Sequence, residues 1–102
     1  MKVYLSGPMT GLPDFNRPAF HAATRVLRGA GLIVYNPAEF ENFEPRRAFA
    51  AYSAFICLEA DAVVLLPGWQ SSLGVSAELA LAKNCKIGVF EYGKFILDLP
   101  TL

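Results

Sequence analysis

The chain has 102 residues, with nine basic and nine acidic side chains and a formal net charge of zero. Its length fits one domain with its own core, and its charge balance argues against nucleic acid or an anionic membrane as a partner. The apolar fraction of 54% is high, yet no apolar run approaches the roughly 18 residues that cross a bilayer. Excess apolar surface on so small a domain predicts a homo-oligomer, either a dimer or a larger assembly.

The first half of the chain reads as strand, helix, strand. The segment "KVYLS" (2–6) is β-branched and aromatic and stops at a Gly-Pro turn, which predicts a first strand. Apolar residues at helical spacing predict a helix over about 17–29, with Asn16 as its N-cap. The segment "LIVY" (32–35) predicts a second strand.

The second half repeats this alternation. Pro45 opens a second helix, and the continuous apolar run "DAVVLL" (61–66) predicts a strand that is buried on both faces. A third helix is expected from Leu73 to residue 83 or 84, followed by a fourth strand, "KIGVF" (86–90). The last 12 residues could form an edge strand or an interface segment.

Strands that alternate with helices predict right-handed crossovers and a parallel sheet with helices on both faces. We therefore expect a Rossmann-like or flavodoxin-like three-layer α/β sandwich, with four or five strands in the order 2-1-3-4(-5), as a single domain over residues 1–102. In such a sheet a ligand binds where the winding reverses, beyond the carboxyl ends of strands one and three. The loops "SGPMTGLPDFN" and "PGWQSSLGVSAE" should meet there.

Both loops are rich in glycine, and each leads into a helix. Glycine lets the backbone approach a ligand closely, and helix N-termini attract anions, so the crevice suits a phosphate group. The candidate contacts are Gly7, Thr10, Gly11, Ser72 and Gly74. Glu78 lies within reach of the same crevice, inside a run that is otherwise small and apolar. A helical glutamate can equally be a solvated surface residue.

Three segments carry a resemblance to a known family. "VYLSGPMTGL" (3–12), "ADAVVLLPGW" (60–69) and "QSSLGVSAELALA" (70–82) resemble the nucleoside 2-deoxyribosyltransferase superfamily, especially its small phage and bacterial members of unknown function. The last segment also resembles the 2'-deoxynucleoside 5'-phosphate N-hydrolases of that superfamily. The resemblance covers residues 1 to about 90. It implies a domain that acts on the N-glycosidic bond of a deoxynucleoside or its 5'-monophosphate, usually as an oligomer.

The resemblance also implies roles for individual residues. Glu78 matches the nucleophile that attacks the anomeric carbon of deoxyribose, and Tyr4 matches the tyrosine that lines the sugar pocket and positions the nucleophile. Transferases that act on free nucleosides tend to have an acidic residue at the position of Ser72. Serine there favours a 5'-phosphorylated substrate, because a carboxylate would repel phosphate. The remaining expected substrate contacts are Ser6, Pro8, Met9 and Asn16.

One position departs from the family pattern. The family has an aspartate eight residues before the residue that corresponds to Asp61, and this chain has Ser53 there. Loss of general acid catalysis typically costs about 10² to 10⁴ in rate. Asp14 is the best replacement by position, although an aspartate in a turn ordinarily serves the turn. Trp69 could stack on a nucleobase, or it could cover the end of the sheet or a subunit interface.

The cysteines and the first residues of the chain bear on metal binding and on the cellular compartment. The cysteines, Cys57 and Cys85, fit no metal-ligand spacing, and the first residues lack the apolar centre of a signal peptide. These features predict a reduced, cytoplasmic protein with neither a metal site nor a cofactor.

The sequence is also compatible with two other functions. Ser53 favours a catalytically silent module that binds or senses a nucleotide. The apolar surplus and the tail "FILDLPTL" would suit an oligomeric interaction protein.

Overall fold

The protein is a three-layer α/β sandwich, as the alternating sequence patterns predict. A computed structural model describes residues 1–40 and 44–99. Its four strands are parallel and lie in the order β2-β1-β3-β4. The elements are β1 (Lys2–Ser6), α1 (Arg17–Gly29), β2 (Ile33–Tyr35), α2 (Pro45–Leu58), β3 (Ala62–Leu65), α3 (Leu73–Asn84), β4 (Gly88–Glu91) and α4 (Tyr92–Leu97). Within these residues, no helix combines the length and apolar character needed to cross a membrane.

The central strand β1 separates two apolar cores. Successive side chains of a strand point to opposite faces of its sheet. Val3 and Leu5 therefore join a core formed with α1 and α4, whereas Tyr4 joins a second core formed with α2 and α3. The sheet thus presents Tyr4 to the pair of helices that includes α3, and this orientation positions the candidate site.

The loops after β1 and β3 meet at the carboxyl edge of the sheet, because β1 lies between β2 and β3. Gly7 lies at this meeting point. A Cβ atom at Gly7 would come within 2.9 Å of the Cβ of Leu66, a distance that the backbone would have to relieve by moving. Glycine at this position therefore permits the close approach of the two loops.

The loop after β1 contains an unusual backbone turn. Asp14, Phe15 and Asn16 all have left-handed φ angles, of 51°, 52° and 59°, and such residues typically cost about 1 kcal/mol or more each. Asn16 occupies the N-cap position of α1, as predicted, but its side chain makes no capping hydrogen bond. Its amide instead donates a hydrogen bond to the carbonyl oxygen of Pro8, at 3.0 Å, and so fixes the shape of the loop.

The tail does not add an edge strand within the described residues. Residues 92–97 form the short helix α4, whereas residues 100–102 of the predicted segment lie outside the described part. Phe95 is buried in the core that contains Val3 and Leu5, and Tyr92, Ile96 and Leu99 pack against the same core. These four apolar residues follow the i, i+3, i+4, i+7 spacing of a helix, which was the sequence signal for this outcome.

Candidate functional site

A buried carboxylate lies between α3 and the sheet. The side chain of Glu78 is only 8% exposed. The hydroxyl of Tyr4 donates a hydrogen bond to Glu78 Oε2, and Ser6 Oγ donates to Oε1 at 2.7 Å. Tyr4 and Ser6 are two residues apart on β1, so both face the same side of the sheet. The alternation of a single strand therefore supplies one hydroxyl to each carboxylate oxygen.

The position of Glu78 follows from the way α3 begins and packs. The side chain of Ser72 caps the helix by accepting a hydrogen bond from the backbone N–H of Val75, at 3.4 Å. Val75, Glu78 and Ala82 are the buried residues of the helix, and their spacing places them on one face. Because Val75 and Ala82 pack into the second core, Glu78 is carried against β1 between them.

Burial sets the protonation behaviour of this group. It raises the pKa of Glu78 above that of an ordinary glutamate, and the hydrogen bonds from Tyr4 and Ser6 lower that pKa in part. Burial, followed by the charge of Glu78, raises the pKa of Tyr4 well above its usual value. Tyr4 therefore keeps its proton at neutral pH and remains a hydrogen-bond donor to the carboxylate.

An open cleft of about 370 Å³ adjoins Glu78. This volume falls within the usual range for small-molecule sites. The first loop, the start of α3 and one face of α2 all contribute to its walls. Besides Tyr4, Ser6 and Glu78, the lining includes Leu5, Gly7, Met9, Thr10, Phe20, Pro37, Pro45, Ala48, Phe49, Tyr52, Ser72, Gly74 and Val75.

Two further hollows adjoin the cleft. The helix-end arm, about 400 Å³, lies at the start of α3 and is lined by Pro8, Met9, Thr10, Leu12, Ser71, Ser72, Leu73 and Gly74. The aromatic arm, about 300 Å³, is lined by Met9, Thr10, Phe15, Arg17, Pro37, Ala38, Phe40 and Tyr52. Each arm shares residues with the cleft, and both arms share Met9 and Thr10, so we call the three hollows together the groove; Glu78 lines the cleft and neither arm.

The structure brings most of the predicted site residues together. The cleft is lined by Tyr4, Ser6, Gly7, Met9, Thr10, Ser72, Gly74 and Glu78, and Pro8 lines the helix-end arm. The position of Ser6 adds a detail that the sequence did not predict. Its hydroxyl is bound to Glu78 and therefore holds the carboxylate, in addition to bordering the cleft.

Four predicted residues lie elsewhere. Asp14 does not line the cleft; its side chain is exposed and pairs with Arg17, at 2.9 Å between Oδ1 and Nη1. Gly11 and Asn16 shape the first loop without lining the cleft or its arms. Trp69 packs against the second core and borders a separate hollow beside β4. Arg17 lines the aromatic arm, so the Asp14 carboxylate lies beside that arm, whereas it does not line the cleft that contains Glu78.

Tyr52 lines the cleft but was not among the predicted site residues. Its ring centroid lies 6.0 Å from that of Tyr4 and 5.9 Å from that of Tyr35. Burial, followed by the charge of Glu78, raises the pKa of Tyr52. The available signal was a hydroxyl on the apolar face of α2, immediately before Ser53. Ser53 itself does not line the cleft, and its buried hydroxyl has no hydrogen-bond partner among the described residues.

Comparison with known sequences finds one family match. A family model described as "Domain of unknown function (DUF4406)" matches residues 1–91. No curated protein matches the chain. The matched segment includes every residue that lines the cleft, but the description carries no activity. The match therefore indicates the family and no reaction.

The cost of burying Glu78 can be measured by Glu78→Gln, which keeps the side-chain size and removes the charge. When folding raises the pKa of a carboxyl group, that group stabilises the folded state at any pH below the pKa that it has in the unfolded chain. This contribution is lost as the pH rises through the pKa of the folded state. We expect Glu78→Gln to have a free energy of unfolding on the order of 1 kcal/mol higher than wild type at neutral pH. The difference should shrink toward about pH 4, near the pKa of an unfolded glutamate.

Urea denaturation at a series of pH values measures this difference. Glu91→Gln is the matched control, because Glu91 has a side chain that is 49% exposed and should show no comparable gain. A wild type that is more stable than Glu78→Gln at neutral pH would contradict the inferred cost of burial.

Proposed function

The chain belongs to the DUF4406 family, a domain family of unknown function, and we propose that it cleaves the N-glycosidic bond of 2'-deoxynucleoside 5'-monophosphates. One observation carries the proposal. A buried carboxylate, Glu78, is held by two hydroxyls of β1 at the side of an open cleft. The resemblance of residues 3–12 and 60–82 to the nucleoside 2-deoxyribosyltransferase superfamily supports the same chemistry.

Glu78 acts as a nucleophile in this scheme. One carboxylate oxygen bonds to the anomeric carbon of deoxyribose while the bond from that carbon to the base nitrogen breaks, and the electron pair leaves with the base. Water then attacks the glycosyl ester, which gives 2-deoxyribose 5-phosphate and restores Glu78. If a second base resolves the ester instead, the result is base exchange. Tyr4 and Ser6 orient the carboxylate through both steps.

The two arms of the groove give the substrate a direction. The helix-end arm lies at the N-terminus of α3, where backbone N–H groups and the helix dipole favour an anion, and Ser72 adds a hydroxyl. In the described residues that line the cleft and this arm, Glu78 is the only carboxylate. The 5'-phosphate would occupy this arm, and the base would lie in the aromatic arm against Phe40 and Tyr52.

Tyr52 is the best candidate to assist the departing base. It lines both the cleft and the aromatic arm, and its raised pKa keeps it protonated at neutral pH. Its hydroxyl would donate a hydrogen bond to a ring nitrogen of the base as that nitrogen becomes more basic. The negative charge of Glu78 is one of the causes that raise the pKa of Tyr52. Formation of the ester removes this charge, so the Tyr52 hydroxyl becomes more acidic as the base departs.

The alternative is a catalytically silent module that binds the same nucleotide. Ser53, in place of the family aspartate, is the observation that favours it. The buried carboxylate favours the enzyme, because binding alone does not require a charge whose burial is costly and whose presence repels phosphate.

The first test is incubation with each 2'-deoxynucleoside 5'-monophosphate, with chromatography of the released base and sugar phosphate. Wild type should release both products. Glu78→Gln should lose at least about 10³ in rate, because the nucleophile is gone, while it still binds the nucleotide. The matching ribonucleotide should be a much poorer substrate. Cleavage that survives Glu78→Gln would remove Glu78 from the mechanism, and binding without turnover by wild type would select the silent module.

The second test concerns the phosphate. Ser72→Asp keeps a good helix cap but places a negative charge in the helix-end arm. We expect cleavage of the 5'-monophosphate to fall by about tenfold or more, which corresponds to about 1.4 kcal/mol, while the unphosphorylated deoxynucleoside is affected much less. Ser76→Asp is the control, because Ser76 is exposed on the same helix and does not line the groove. Equal effects on both substrates would contradict phosphate binding beside Ser72.

The third test concerns the leaving base. Tyr52→Phe keeps the ring and removes the hydroxyl, so release should slow by about 10- to 100-fold. The loss should be largest for the poorest leaving base. Tyr35→Phe makes the same change on a neighbouring ring that does not line the groove, and it should leave the rate almost unchanged. A uniform loss for all bases would indicate that Tyr52 has only a structural role.

A further inference from the structure

Two cysteines from separate parts of the chain lie together at the end of the fold opposite the cleft. The helices α2 and α3 pack side by side on one face of the sheet. In right-handed crossovers both helices run antiparallel to the strands, so both end at the amino edge of the sheet. Cys57 lies in the last turn of α2, and Cys85 directly follows α3.

The two thiols are neighbours and are accessible. The Cys57 thiol lies close enough to Cys85 for the two side chains to interact, and both residues are exposed and unbonded to another sulfur. Small reagents in solution can therefore reach both sulfur atoms. Disulfide formation requires cysteines that are already close, because the S–S bond tolerates little distortion. The packing of α2 against α3 brings the two helix ends that carry these cysteines together.

We propose that Cys57 and Cys85 form a reversible disulfide that joins the ends of α2 and α3. The oxidant is a small disulfide of the oxidised glutathione class. One cysteine thiolate attacks it, forms a mixed disulfide and releases one glutathione thiolate. The other cysteine thiolate then attacks the protein sulfur of the mixed disulfide and releases the second. The protein loses two protons and two electrons, and the oxidant is reduced to two thiols.

The expected consequence is mechanical. The closed loop would include β3, the helix cap Ser72 and the buried Glu78. A cross-link across such a loop restricts the unfolded chain and thereby favours the folded state. It would also fix α3, which carries Glu78, against α2, which carries Tyr52 and one wall of the cleft. This inference concerns the opposite end of the molecule and does not depend on the proposed reaction.

The rate of disulfide formation should increase with pH. Loss of hydration, followed by the neighbouring Cys85, raises the pKa of the Cys57 thiol. Because the thiolate is the reactive form, a raised pKa slows the reaction at neutral pH. The disulfide should therefore form faster in mildly alkaline solution than at neutral pH.

The test uses dilute full-length protein with oxidised glutathione, over a series of pH values. Mass spectrometry under non-reducing conditions should show the loss of two hydrogen atoms from wild type and a peptide that contains both Cys57 and Cys85. Thermal unfolding should shift to higher temperature and return to its starting value after dithiothreitol. Cys57→Ser and Cys85→Ser are matched controls in which neither change occurs, and serine at these exposed positions should leave the fold intact.

Two outcomes would overturn the proposed disulfide, and a third would overturn its expected stabilising effect. Wild type could retain two glutathione adducts without forming the internal bond, which would show that the thiols do not meet. It could form a cross-linked dimer instead, seen as doubled mass. It could also form the internal disulfide with no rise in unfolding temperature, which would show that the bond distorts the packing of α2 against α3 by as much as it stabilises it.

Discussion

The burial of one charged group constrains much of this structure. A carboxylate removed from water is unfavourable unless hydrogen bonds replace its hydration. Here Tyr4 and Ser6 supply one hydroxyl to each oxygen of Glu78. Both donors come from a single buried strand, so the position of the carboxylate is fixed by the sheet itself. A group on a rigid strand and a rigid helix is held more precisely than one on a loop.

The rest of the fold forms an open cleft beside this carboxylate. The reversal of winding between β1 and β3 brings two loops together, and Gly7 lets them approach closely. The left-handed turn that ends at Asn16 then carries the chain away from the sheet edge, fixed by a hydrogen bond to Pro8. The space left between these loops and α2 is the cleft. Local backbone strain and close packing thus accompany the formation of the groove.

The groove joins three environments, each suited to one part of a nucleotide. The helix-end arm offers N–H groups and the hydroxyl of Ser72, the cleft offers Glu78, and the aromatic arm offers ring faces that include Tyr52. The proposed function rests on this combination. It also assigns to Tyr52 the assistance that Ser53 cannot give, because Ser53 does not line the cleft. The cysteines lie at the far end of the same two helices, so their chemistry is spatially separate from the groove.

The sequence alone determined the architecture, because strand and helix periods, prolines and glycines act locally. The patterns predicted every strand to within one or two residues and placed Glu78, Tyr4 and Ser72 at one crevice. They left the tail open between an edge strand and an interface segment, although four apolar residues there have helical spacing. They placed Asn16 at the start of α1 but did not predict that its side chain would bond to Pro8. Packing of Phe95 into the core and the left-handed backbone decided these two local structures.

Only the tertiary structure could decide which side chains share a space. Asp14 was expected at the crevice, but its side chain is exposed, pairs with Arg17 and does not line the cleft. Tyr52 and Cys57 lie on one helix, yet Tyr52 lines the cleft while Cys57 meets Cys85 at the opposite end. Contacts between residues far apart in sequence depend on the direction in which each helix crosses the sheet. Periodicity shows which face of a helix is buried, whereas packing determines which residues that face meets.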